Sequence, residues 1–180
     1  AKYIDGLGAE ALEKAANYTA GNHWMLLWGL LVSALVTWII VRWGVLDRIA
    51  QKLENRSSAL RIWLIAVSFL LISSLLSLPW GVYEEWVRES AYGRTSQPLA
   101  DFLTQDAISM VISALLGGLF FLGVYALIRK TGKRWWLWSG GLAGLAISAG
   151  LLLSPVLIEP IFNDYKPVPE GPVRAALLVM

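Results

Sequence analysis

Apolar residues gather in four blocks along the chain, at 24–43, 62–80, 107–128 and 136–158, with polar residues collected between them. Each block is close to the roughly 20 residues a helix needs to cross the hydrocarbon of a bilayer. Hydrocarbon offers no water to a backbone, so a crossing segment must satisfy its own N–H and C=O groups. The alternating pattern of a barrel strand does not occur, so the blocks predict helices. The expected fold class is all-α: a polytopic transmembrane helical domain of about four spans with short interfacial helices.

The edges of the blocks sharpen the expectation. Trp24, Trp28 and Trp43 flank the first span as an aromatic belt, and Arg42 can snorkel to its edge. Pro79 is expected to end the second span, since proline lacks an N–H and clashes with the preceding turn. Ser109, Ser113 and Gly117, four apart, give the third span one small face for a close helix contact, and Gly140 with Gly144 does the same for the fourth. Pro155 is expected to kink the last turn of that fourth span.

The polar segments read differently from one another. Leu7, Ala11, Leu12, Ala15 and Tyr18 recur at helical spacing, which predicts a short amphipathic helix over 8–19, stopped by Gly21-Asn22. The connector 44–61 repeats Leu46, Ile49, Ala50 and Leu53 among Arg48, Lys52, Arg56 and Arg61, the pattern of a basic amphipathic helix on an anionic lipid surface. Residues 81–106 form the longest polar connector, richer in Glu84, Glu85, Glu89, Asp101 and Asp106 than in arginine. From Pro160 the chain is expected to run extended and turn-rich, through Pro167, Pro169 and Gly171.

Composition agrees with the pattern. The 180 residues are 57% hydrophobic and 16% charged, against roughly 25% charged in ordinary soluble domains. There is no cysteine, which removes disulfides and thiolate metal sites. The net charge of +2 is small, but the short connectors 42–61 and 129–134 hold most of the arginine and lysine. The positive-inside rule assigns those connectors to the cytoplasm.

A family resemblance rests on specific strings. Pro160-Ile161-Phe162-Asn163 followed by Pro167-Val168-Pro169-Glu170-Gly171 resembles the PLFN…PLPEG signature of the type I CAAX prenyl proteases, integral-membrane zinc metalloendopeptidases. Leu78-Pro79, Tyr83, Trp86-Val87, Glu89 and Gly93 resemble a second element of that family, and Phe102 and Asp106 the F…D after it. Arg94 and Thr95 depart from it, standing where the family usually has phenylalanine and asparagine. The resemblance implies that 1–158 is an N-terminal membrane domain and that 159–180 leads into a truncated catalytic domain. Two features of the ends fit a fragment: the chain starts with Ala1, and the apolar helix opening at Val173 is cut after about two turns. The resemblance further implies zinc in the parent protein and a missing C-terminal protease domain as partner. It also implies a peptide or protein substrate, prenylated CAAX proteins among the candidates. It places that protease domain in the cytoplasm, the opposite sidedness to the one the basic connectors give. The implied home is a bacterial inner membrane, or the endoplasmic reticulum membrane of a eukaryote.

Catalytic chemistry is not expected from these residues alone. A zincin needs two histidines four apart with a glutamate beside the first; the chain has only His23, read as an interfacial residue. The fragment is therefore expected to hold no catalytic or metal residue. Glu85 and Glu89, four apart, share a helical face and read as a solvated loop surface. The basic and aromatic run Arg129–Trp138 lies between two apolar blocks and reads as a headgroup anchor, so no nucleic acid partner is expected. A non-enzymatic polytopic protein, such as a transporter subunit or assembly factor, is the rival reading.

Overall fold

The computed structural model describes residues 8–162, and every regular element among them is helical. In order these are α1 (Ala9–Arg42), α2 (Val45–Lys52), α3 (Ser58–Gly81), a π turn (Val82–Val87) running into α4 (Arg88–Ala91), and α5 (Leu99–Thr131). A 3₁₀ turn (Gly132–Arg134), α6 (Trp135–Leu153), a second π turn (Ser154–Ile158) and α7 (Glu159–Phe162) follow. Three continuous stretches, Ala9–Arg42, Ser58–Ala91 and Leu99–Phe162, are long and apolar enough to cross a membrane. The last has 64 residues, about 96 Å of helix and several times what one crossing needs. It is broken at Gly132, whose φ of 54° lies in the left-handed region. The all-α polytopic architecture is thus as expected.

Three boundaries differ from the sequence reading. Gly21-Asn22 does not stop the first helix: α1 is 34 residues long and runs through both. A Cβ on Gly21 would sit 3.1 Å from the Arg88 guanidinium, so glycine there makes room for a neighbour rather than ending a helix. Pro79 does not end the second span either, because it lies inside α3. Helices in lipid tolerate proline where local π adjustment and neighbouring groups take up the freed carbonyls, and the π turn Val82–Val87 follows at once. Nor does the chain become extended at Pro160, which sits in the first turn of α7, where a missing N–H costs nothing. Pro155 lies in the second π turn, so the departure from α geometry falls where the proline predicts it.

The chain divides into two compact units, Ala1–Ala126 and Leu127–Met180. In the first, α1 and α3 run antiparallel. Gly29 lies against Trp80, and Gly21 against Arg88. Val36 and Ile40 are the buried apolar residues of α1. The α3–α5 seam is also antiparallel and tighter. A Cβ on Gly118 would fall 2.5 Å from Val67 and 3.0 Å from Trp63, and one on Gly117 2.6 Å from Leu70. Without a hydrophobic drive between helices in lipid, such close approach of small residues is what holds them. Large apolar residues such as Leu26 and Leu30 stay 75% and 70% exposed, as lipid-facing side chains should.

Gly118→Leu should destabilise the first unit by about 1–3 kcal/mol through overpacking. Gly81→Ala, whose Cβ would meet nothing within 4 Å, should be neutral or stabilise by up to about 1 kcal/mol. Denaturant unfolding of the purified protein in micelles checks both.

Candidate functional site

The resemblance-bearing residues Glu89 and Gly93 build the end of α4. The N–H of Gly93 donates to the Ser90 carbonyl at 3.0 Å and that of Arg94 to the Glu89 carbonyl at 2.8 Å. This pair of bonds is a Schellman stop, which wants a left-handed residue at the position of Gly93. Its φ is 72°. The reversal folds the Arg94 side chain back, and its Nε donates to Glu89 Oε2 at 2.8 Å.

Around that turn a polar knot forms beyond the apolar part of the spans. At about 51 Å, α1 outruns the hydrocarbon core of about 30 Å, so its first turns reach past the lipid. Tyr18 on that extension donates its hydroxyl to Glu89 Oε1 at 2.7 Å. Arg88, 9% exposed, donates to the Tyr18 carbonyl at 2.8 Å and to Asn22 Oδ1 at 2.7 Å. It also lies 3.6 Å from Glu89 Oε1. Its guanidinium stacks over the Tyr18 ring at 4.3 Å and lies 5.5 Å from that of Tyr92. The Tyr18 hydroxyl first, then the hydrogen bond and charge of Arg94, hold the Glu89 carboxyl below its ordinary value of 4.5.

Beside the knot, α3 and α5 part into a cleft of about 270 Å³, lined by Ser74, Ser77, Phe102, Asp106, Ser109 and Ser113 among others. The small face expected on the third span thus does two jobs: Gly117 closes the seam, and Ser109 and Ser113 open onto the cleft. Partial desolvation first, then the negative charges of Asp106 and Glu84, push the Glu85 carboxyl above 4.5. Glu85 is exposed and Glu89 half-buried, and opposite influences act on the two carboxyls. The wider π turn between them alters the helical register, and each carboxylate meets different neighbours.

Of the other residues singled out in sequence, Tyr83 is 47% exposed with its ring 5.7 Å from that of Trp80. Trp86 donates from Nε1 to the Gln97 carbonyl at 2.9 Å, pinning the loop before α5. Pro160 and Phe162 lie in α7 of the second unit. Asn163, Pro167, Pro169, Glu170 and Gly171 fall outside the described residues. Sequence reasoning missed Tyr18, Asn22 and Arg88. Gly21-Asn22 reads locally as a helix stop, and nothing local in the sequence links residues 70 apart.

The described residues do not fit a zinc site: no three His, Cys, Asp or Glu among them converge. His23 is exposed, and its Nδ1 sits 3.1 Å from the Thr19 carbonyl oxygen of its own helix.

Comparison with known proteins decides the family. Residues 2–164 match the family model described as the CAAX prenyl protease N-terminal region with five membrane helices. The chain belongs to the CAAX prenyl protease family. It is 25% identical over 151 residues to a CAAX prenyl protease 1 homolog of Arabidopsis thaliana, covering 81% of this chain and 35% of that protein. It is 23% identical over 172 residues to an uncharacterized metalloprotease of Bacillus subtilis, covering 93% of this chain and 39% of that protein. The human CAAX prenyl protease 1 homolog is 32% identical over 113 residues, 61% of this chain and 23% of that protein. The chain thus spans well under half the length of these relatives.

Tyr18→Phe should cost about 1–2 kcal/mol by removing a hydrogen bond to a charged acceptor, and Gly93→Ala a similar amount by forcing a Cβ into the left-handed region. Acid titration of unfolding should separate the two glutamates. Above pH 4.5 the folded state holds the Glu85 proton more tightly than the unfolded state does, so stability rises as pH falls through that window. Below 4.5 the unfolded state takes up the Glu89 proton first, so stability falls with further acid. Glu89→Gln should abolish the lower limb and Glu85→Gln the upper one.

Proposed function

We propose that this chain works as the N-terminal membrane domain of a CAAX-prenyl-protease-like zinc metalloendopeptidase, anchoring the peptidase in the bilayer and shaping substrate access to it. In this reading 1–158 is the membrane domain, with spans near 24–43, 62–80, 107–128 and 136–158, and 159–180 is the exit toward the catalytic part. The zinc ligands and the glutamate that activates water belong to sequence encoded after Met180. The reaction of the whole protein would be peptide-bond hydrolysis, for which zinc held outside the described residues would supply the activated water. The substrate is a peptide or protein, with prenylated CAAX proteins the class that the relatives' names suggest. The working membrane is a bacterial inner membrane, or the endoplasmic reticulum if the source is eukaryotic.

The observation that carries this reading is the family match over residues 2–164. Two family-like positions support it by their setting: Glu89 anchors the polar knot, and Asp106 lines the serine-rich cleft. Four serine hydroxyls set among apolar residues between two membrane helices offer hydrogen-bonding positions to a passing peptide backbone.

The test starts from the gene's full reading frame, expressed in membranes. The frame should encode an HExxH helix after Met180. Cleavage of a prenylated CAAX peptide or an unfolded membrane protein should vanish with a zinc chelator and return with zinc. Asn163→Ala and Glu170→Ala should lower kcat/KM by about 10-fold or more, as expected when a positioning segment is disturbed, while the protein still inserts in the membrane. A frame without that helix, or hydrolysis indifferent to chelation, would overturn the reading.

A further inference from the structure

Charge is distributed unevenly between the two ends of the first unit. At the end that carries the knot, Arg88 and Arg94 are both engaged by Glu89, and Glu84, Glu85, Asp101 and Asp106 add negative charge. At the other end lies α2, joined to the neighbouring spans by a left-handed Gly44 at one side and a turn over 53–57 at the other. Its Val45, Leu46, Ile49 and Ala50 are half-buried, while Asp47, Arg48, Gln51 and Lys52 are exposed. The apolar face of α2 packs on the ends of α1 and α3, so its polar face is fixed outward at the level of Trp43.

Arg42, in the last turn of α1, and Lys52, at the last position of α2, flank this helix. The turn then delivers Arg56, whose N–H donates to the Leu53 carbonyl at 3.0 Å, and Arg61 follows in the first turn of α3. The eight residues of α2 span about 12 Å, which sets the scale of separation between Arg42 before it and Lys52 at its end. Arg42, Lys52, Arg56 and Arg61 are exposed or half-exposed. Among the described residues none of the four lies within ion-pair distance of a carboxylate. Arg48 is tied differently, donating to the Trp43 carbonyl, and so fixes the joint between α1 and α2 instead of reaching outward.

We propose that α2 and its flanking Arg42, Lys52, Arg56 and Arg61 form a binding surface for the headgroups of anionic phospholipids. Charge complementarity selects the occupant. Four unneutralised cations rest at the interface around a half-buried helix, Lys52 on α2 itself and Arg42, Arg56 and Arg61 on the segments that flank it, and the lipid phosphates lie at the same depth. Interfacial cations attract anionic lipid at about 1 kcal/mol each, roughly fivefold in preference per residue. The surface is independent of any peptidase chemistry, so it stands or falls separately from the function proposed above.

The full-length protein in nanodiscs of phosphatidylcholine, with or without phosphatidylglycerol, tests this by native mass spectrometry of retained lipid and by unfolding temperature. The wild-type protein should retain phosphatidylglycerol preferentially and unfold at a higher temperature when it is present. Both effects should weaken at high salt. Lys52→Gln, Arg56→Gln and Arg61→Gln combined should abolish the preference. The charge-keeping set Lys52→Arg, Arg56→Lys and Arg61→Lys should preserve it, which guards against loss of fold as the cause. Lys14→Gln, on the opposite end, should change nothing. Equal retention by the wild type and the neutralised triple variant would overturn the proposal. So would the same stabilisation from inorganic phosphate in phosphatidylcholine discs, which would mark a free-anion site.

Discussion

A guanidinium left 9% exposed must be matched on every side, because an unpaired buried charge costs several kcal/mol. Arg88 is matched by a backbone carbonyl, an amide oxygen, a carboxylate and two tyrosine rings. Much of the first unit follows from that demand. The helix α1 must continue past the lipid to bring Tyr18 and Asn22 into reach. Gly21 must lack a side chain so that the guanidinium fits. Glu89 must stay ionised, and the Tyr18 hydroxyl and Arg94 keep it so. Gly93 must turn the chain sharply enough for Arg94 to return. One cation therefore couples the N-terminal helix to the end of α3 and to the loop before α5.

Inside the lipid a different rule applies. Few side chains are buried, and those that are, Val36, Ile40, Val67 and Ala114, mark the lines of helix contact. The α3–α5 seam relies on Gly117 and Gly118 because close backbone approach replaces hydrophobic collapse there. Where the seam relaxes, a cleft appears in which serines and Asp106 stand among apolar side chains. The knot and the cleft are neighbours because α3 supplies the wall of one and, through its π turn, the residues of the other.

The sequence made the architecture legible and left the site largely hidden. Long apolar blocks identify membrane helices without any tertiary knowledge, and the spacing of Ser109, Ser113 and Gly117 identifies a face turned to α3 that is in close contact at Gly117 and lines a cleft at the two serines. Glycine and proline do not act as stops at Gly21, Pro79 and Pro160, because tertiary setting overrides the local signal. Gly21 makes room for the Arg88 guanidinium, a π turn follows Pro79, and Pro160 falls in a first turn. Glu89, Gly93 and Asp106 could be singled out by family likeness, but their partners could not. The bond from Tyr18 to Glu89 crosses 71 residues, and no local pattern encodes it.

Hydrogen exchange of the purified protein in nanodiscs, comparing wild type with Arg88→Met, probes the central coupling directly. If Arg88 holds the N-terminal extension in place, amides of 9–23 should lose protection in the variant while those of 62–80 keep theirs. Unchanged protection over 9–23, or uniform loss along all helices, would contradict the role given to this one buried cation.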